Sequence, residues 1–310
     1  MTRSRSGFLF GLAGYSLWGV FPLYFPLLEP GGAVEILAHR VLWSAVTMAL
    51  VTVLLRRTGQ FRAIWRDRRV ALLLAGAAVA ISINWGGFIF GVNSGRVVET
   101  SLGYFINPLV TMLMGVIFLS ERMRAAQWVA LGIGTVAVGV LTWDYGRPPW
   151  IAITLALSFG TYGLLKKRAN VGAVESLTFE TMMVGPLAAG YLGWLAIAGT
   201  GHFATEGAGH VLLLLSTGIV TAIPLLCFGA AATRIPLTVL GPLQYVTPTL
   251  QFCIGVLVVG EPMPPSRWIG FGLVWSALAI FTVSAVRGRR SELRARGGAS
   301  RRPQEAPEQH

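Results

Sequence analysis

Residues 99–122 read ETSLGYFINPLVTMLMGVIFLSER. The run is long enough to reach the roughly 20 apolar residues that a helix needs to cross a bilayer. Pro108 stands at its middle, Tyr104 and Asn107 lie within one turn of it, and the charged pair Glu121 and Arg122 closes it. The same skeleton returns 140 residues later: Pro248 falls on Pro108, Gly255 on Gly115, Glu261 on Glu121, Met263 on Met123, Trp268 on Trp128 and Gly272 on Gly132. In proteins built from inverted membrane repeats, a matched pair of interrupted apolar segments marks the ligand site.

Composition agrees with a membrane setting. Of 310 residues, 54% are hydrophobic and 12% charged, against about 25% charged in a soluble domain. The 38 glycines suit close helix packing in lipid. A net charge of +12 raises the possibility of nucleic acid, but the charges sit in loops and a tail, so no nucleic-acid partner is expected. Cys227 and Cys253 lie inside apolar runs and read as packing residues rather than metal ligands. The basic start and first apolar run, from Gly7 to about Leu28, resemble a secretory signal. The run is too long for one and lacks a small-x-small cleavage site, so it reads as a retained span.

Ten spans are expected, near 7–28, 34–55, 70–92, 97–119, 126–143, 149–165, 174–198, 210–231, 237–259 and 267–286. Lys and Arg set their direction. With the N-terminus cytoplasmic, that side receives 21 of them, including the run from Arg56 to Arg69 and seven tail arginines. The outer side receives only the 3 residues Arg96, Arg147 and Arg267. Both termini are therefore expected inside.

The 140-residue offset extends further. Gly32-Ala33-Val34-Glu35 recurs letter for letter as Gly172-Ala173-Val174-Glu175, each at the entrance of a repeat's second span. Leu12 to Gly19 also echoes the stretch before Gly163, at an offset drifting to 144. Five spans per half is an odd number, so the halves must enter the membrane from opposite sides. The expected architecture is an all-α membrane protein of two inverted five-helix repeats. Residues 1–6 form a cytoplasmic N-terminus, 7–145 the first repeat, 146–286 the second, and 287–310 a disordered basic tail.

Several residues carry candidate chemistry. Pro108 and Pro248 each remove a helix hydrogen bond, freeing the carbonyls of Tyr104 and Gln244 to line a cavity; a plain kink is the alternative. Glu35, His39 and Arg40 lie in the outer third of the second span, with Glu35 and His39 on one helix face. The counterpart of Arg40 is Glu180. Ionisable groups at this depth are costly and face a cavity or a partner. Arg40 can attract anionic substrate groups while Glu180 takes and releases a proton, or both can tie helices together. Tyr15, Trp18, Asn84 and Trp85 supply groups suited to a small, partly apolar ligand. Tyr104 and Asn107, facing Gln244 and Tyr245, are the expected cavity centre. Glu121 and Glu261 read as helix-end and loop-closing residues, and Trp65, Trp143 and Trp150 as interfacial anchors. No HExxH, paired cysteine, GxSxG or GxxxxGK pattern occurs, so neither metal, cofactor nor enzymatic activity is expected.

The stretches EILAHRVLWS (35–44), SLGYFINPL (101–109), FLSER (118–122), TAIPLLCFGAAATR (221–234) and LGPLQYVTPTL (240–250) closely resemble the RarD group of the EamA family, in the drug/metabolite transporter superfamily. The resemblance covers about residues 7–286. It implies ten helices in two inverted repeats at the bacterial inner membrane, and alternating-access movement of small metabolites. Members of the group are often labelled chloramphenicol-sensitivity or -resistance permeases. It brings no assigned binding residues.

Overall fold

The computed structural model describes residues 3–120, 123–232, 234–235 and 243–299, all in helices, turns and loops. The first predicted span is two pieces: α1 (Arg3–Gly19), then α2 (Phe21–Tyr24) with a 3-10 turn (Phe25–Leu28), bent by 42°. Pro22 and Pro26 open the two short pieces, where a missing N–H costs nothing but the preceding helix cannot continue through it.

The helices α3 (Ala33–Leu54), α4 (Thr58–Arg66), α5 (Arg68–Asn93), α6 (Val97–Leu119) and α7 (Ala125–Tyr145) follow. The second half contains α8 (Trp150–Ala169), α9 (Ala173–Ala198), α10 (Gly207–Ala232), α11 (Val246–Leu257) and α12 (Pro265–Ala299). α4 was not anticipated. It is a short amphipathic helix within the basic loop, and Trp65 packs on Phe179 with ring centroids 4.6 Å apart. Asp67 starts α5 by accepting from the Arg69 and Val70 N–H groups at 3.0 and 3.1 Å, a carboxylate cap on the positive end of the helix.

Among the described residues, seven helices are long and apolar enough to cross a membrane, or eight with the bent first pair as one span. Apolar side chains cover the outside: Ile197, Leu257 and Leu187 are 90%, 78% and 75% exposed. Of the other two predicted spans, α8 is wrapped by α5 and α6, with Ile151, Ala152, Leu155 and Ala156 fully buried. That face meets protein and tolerates Ser158, while Leu157 and Phe159 on the other side are exposed. α11 has 12 residues; residues 236–242 before it, like Glu121 and Arg122, lie outside the described residues.

Two expectations meet a different local structure. Pro248 sits in the first turn of α11, just after the turn at Gln244 and Tyr245 that parts it from helical Leu243, whereas Pro108 is inside α6. Two further interior prolines, Pro186 in α9 and Pro224 in α10, lie in the second half. The tail is also helical through Ala299 rather than disordered from 287. Arg, Glu, Leu and Ala are good helix formers, and here they extend a helix already nucleated. Residues 300–310 lie outside the described residues.

The packing joins the halves throughout. α8 lies on α5 and α6, and α1 on α10 and α11; α3 packs on α9 and α10, α5 on α9, α6 on α11 and α7 on α12. Glycine permits the closest approaches: a Cβ at Gly103 would stand 2.9 Å from the Ala152 carbonyl oxygen, and one at Gly218 would overlap the Trp43 carbonyl.

Three of these pairs are antiparallel by their end contacts. Thr52, late in α3, bonds Thr178, early in α9, at 2.7 Å. The end of α7 meets the start of α12 where Asp144 holds Ser266 and, at 2.9 Å, Arg267. Glu261, just past α11, accepts from the Val98 N–H in the first turn of α6 at 2.8 Å. That contact is the helix-end role expected for Glu261.

Candidate ligand site

Of the 25 lysines and arginines, 24 are the 21 and 3 counted on the two sides, and Arg40 is the remaining one. It lies two turns into α3 and is 3% exposed. Phe21 and Phe25, four residues apart on the bent first segment, present ring faces 5.5 and 5.3 Å from the guanidinium. Trp85 of α5 does so at 4.3 Å. Arg40 Nε donates to Thr221 Oγ1 of α10 at 3.1 Å.

Nη1 is buried and has no hydrogen-bond partner, and none of the ion pairs among the described residues includes Arg40. A desolvated cation gains up to about 2 kcal/mol from an aromatic face. Arginine at mid-membrane costs about 3 kcal/mol on insertion scales and more in isolation. The rings and Thr221 therefore offset the burial without supplying a counter-charge.

The end of this box nearest the start of α3 is covered by residues 202 and 203. Glu35 accepts from the His202 backbone N–H at 2.6 Å and lies 2.8 Å from its Nδ1. Phe203 stacks on His39 with centroids 5.0 Å apart and packs against the cluster containing Phe21 and Phe25. Trp43 Nε1 donates to His39 Nδ1 at 3.3 Å. Indole is donor-only, so neutral His39 carries its proton on Nε2, which is buried and unpartnered.

The remaining predicted residues fall into separate groups. Asn84 donates to the Leu155 carbonyl at 3.0 Å and Ser158 Oγ at 3.1 Å, and accepts from Tyr104 at 3.1 Å. It ties α5, α6 and α8 together. Asn107 is half-buried, with Thr111 3.4 Å away. Tyr15 and Trp18 form an edge-to-face pair at 5.7 Å beside Phe228, and their carbonyls accept from Thr247 and Gln251 at 2.7 and 3.2 Å.

Glu180 is 1% exposed, 3.2 Å from Lys166 Nζ and 3.2 Å from the Tyr162 hydroxyl. Because α3 and α9 are antiparallel, Arg40 and Glu180 lie toward opposite ends of the helix pair. Gln244 and Tyr245 form the turn before α11; Tyr245 packs with the cluster of α6, α7 and α12, and Tyr104 with that of Phe21 and Phe25. The expected meeting of Tyr104 with Tyr245 is absent from the contacts among the described residues.

Sequence reasoning missed Phe21, Phe25, Thr221 and Phe203. A signal existed for three of them: the two phenylalanines repeat at helical spacing in FPLYFPLL, and Thr221 opens the 221–234 stretch. Phe203 lies in a loop, where periodicity says nothing.

A multi-pass, all-helical membrane protein with an interior arginine box is the class these observations define. The EamA-like transporter family model matches residues 5–143 and again 148–283. Protein RarD of Streptomyces exfoliatus is 54% identical over 96% of this chain and 95% of its own length. Protein RarD of Escherichia coli K12 is 42% identical over 92% and 96%. A solved structure titled only as a crystal structure of a protein shares the fold, with TM-score 0.58, 18% identity, and coverage of 91% of this chain and 98% of its own. The chain belongs to the EamA-like transporter family, and within it to the RarD group of the drug/metabolite transporter superfamily.

Proposed function

We propose that this chain is a secondary carrier of small organic molecules that works by alternating access. It has ten crossings in two inverted five-helix repeats, in a bacterial inner membrane, with both termini cytoplasmic. The observation that carries the proposal is the antiparallel packing of three helices on their own counterparts: α3 on α9, α6 on α11 and α7 on α12. Exchanging the halves maps α8 on α5 and α6 onto α1 on α10 and α11. It also maps α3 on α10 onto α9 on α5. Those neighbours all occur, and the family model's two matches divide the chain at the same place.

Side assignment is supported by the ion pairs. Arg57 with Glu175 and Lys166 with Glu180 join residues assigned to the inner half. Arg147 with Glu99, His202 with Glu35 and Arg267 with Asp144 join residues assigned to the outer half. A miscounted span would put some of these partners on opposite faces.

In this mechanism Arg40 holds the substrate's polar end and Glu180 exchanges a proton with the cytoplasmic side. Breaking the cover at one end while the other stays closed gives alternating access. Metabolite profiles of a deletion and an overexpressing strain, with chloramphenicol among the added solutes, test the carrier reading; solute distributions unchanged between the strains defeat it. For coupling, Glu180→Gln is expected to abolish pH-driven flux in proteoliposomes, and an unchanged pH dependence removes Glu180 from the cycle.

A further inference from the structure

We infer that the Arg40 box selects a substrate class: small organic monoanions, carboxylates above all, carrying a flat apolar body. The inference rests on the carrier reading for how the site is reached, and on the box itself for what it takes. Arg40 is buried, its Nη1 lacks a partner, and no protein carboxylate pairs with it among the described residues. A fixed cation in a low-dielectric interior is neutralised best by one negative charge. One cation compensates a single negative charge, and a dianion would bring an uncompensated one with it.

The geometry adds shape. Thr221 occupies Nε at 3.1 Å, so the guanidinium is oriented from one side and offers its Nη1 hydrogens to an oxyanion. Phe21, Phe25 and Trp85 ring the cation, so a molecule reaching Nη1 lays its apolar part among aromatic faces. Neutral ligands can use the rings but leave the charge unanswered. Simple inorganic anions answer the charge and forgo the rings. The preferred ligand does both.

The probes are benzoate, benzamide and acetate, each titrated against the purified full-length chain in lipid nanodiscs while the thermal unfolding midpoint is followed. Benzoate is expected to raise the midpoint in a saturable way, with benzamide and acetate binding at least about tenfold more weakly, as loss of a charge-assisted bond or of apolar contact implies. Arg40→Gln should lower benzoate affinity by roughly 10- to 100-fold, and Arg40→Lys should fall between because it keeps charge without the planar fork. Benzamide equal to benzoate, or no saturable shift with benzoate, overturns the inference. So does an Arg40→Gln protein that binds benzoate normally. If Arg40→Gln does not fold, the wild-type comparison of the acid with its amide decides alone. Efflux from proteoliposomes separates the two levels. Benzoate bound but never moved overturns the carrier and leaves the site, while benzoate moved equally by wild type and Arg40→Gln overturns the site and leaves the carrier.

Discussion

Glu35 and Glu175 close the two halves by the same construction. Each ends a Gly-Ala-Val-Glu quartet, lies in the first turn of its helix, and is buried, at 5% and 3% exposure. Glu35 reaches His202, in the loop after α9. Glu175 reaches Arg57, in the turn after α3, at 2.9 Å. Each carboxylate thus ties its own helix to the connection leaving the other, and both ties are made at once. In the proposed carrier these matched latches would open one at a time.

The latches predict opposite effects on access. In a background with a cysteine at Ser44, which is fully buried just below Arg40, Glu35→Gln should speed labelling by an impermeant thiol reagent applied outside. Glu175→Gln should speed labelling from the cytoplasmic face. Losing one charge-assisted bond shifts such an equilibrium by roughly tenfold. Equal labelling from both sides in either variant would show that the ties are structural only.

Glycine packing gives a second test. Gly103→Ala places a methyl 2.9 Å from the Ala152 carbonyl oxygen and as close to Leu155, so backbone must move. Overpacking of this kind costs about 1–3 kcal/mol. Gly132 and Gly272, a matched pair in the repeat, have nothing within 4 Å of the corresponding position. Alanine there should be neutral or stabilising by up to about 1 kcal/mol through helix propensity. Denaturant titration in mixed micelles of the three variants compares them directly.

Much of this fold is visible in the chain because lipid imposes long apolar runs and leaves Lys and Arg outside them. Helix positions, the 140-residue offset and the burial of Glu35, His39, Arg40 and Glu180 all follow from that constraint. What was illegible depends on tertiary partners. Apolar run length cannot reveal that α8 buries one whole face between α5 and α6. Proline spacing suggested that Pro108 and Pro248 were alike, but position within a helix depends on where the helix begins, and α11 begins at Val246. Asn84 and Tyr104 looked like cavity groups because amides and phenols bind ligands. Here they bind each other and α8.

A pH prediction follows from Glu261, in the loop between α11 and α12. Burial pushes its carboxyl up from 4.5 to about 7, outweighing the N–H bond from Val98 that favours the charged form. The folded chain therefore holds a proton that the unfolded chain has released between these values. The stability associated with this group is complete below pH 4.5 and is lost as pH rises through about 7, since stability falls wherever the folded state binds more protons. Unfolding midpoints measured across this range should decline for wild type. Glu261→Gln should flatten this component, and a parallel slope in both proteins would assign the effect elsewhere.

Asn84 and Asn107 separate a structural amide from one that is available. Asn84 is 1% exposed and all three of its bonds cross between helices. Asn84→Ala strands the Tyr104 hydroxyl in an apolar interior and removes the donor that reaches the Leu155 carbonyl and Ser158 Oγ, and each buried group left unpaired costs about 1–3 kcal/mol. A loss of about 2–4 kcal/mol is expected, since Ser158 keeps its own bond to the Thr154 carbonyl at 2.6 Å. Asn107 is half-buried with one long contact at 3.4 Å, so Asn107→Ala should change stability by less than about 0.5 kcal/mol. Equilibrium unfolding in mixed micelles orders the two. Similar losses at both positions would mean that Asn107 holds an interhelical bond after all, and it would then leave the set of groups free to meet a substrate.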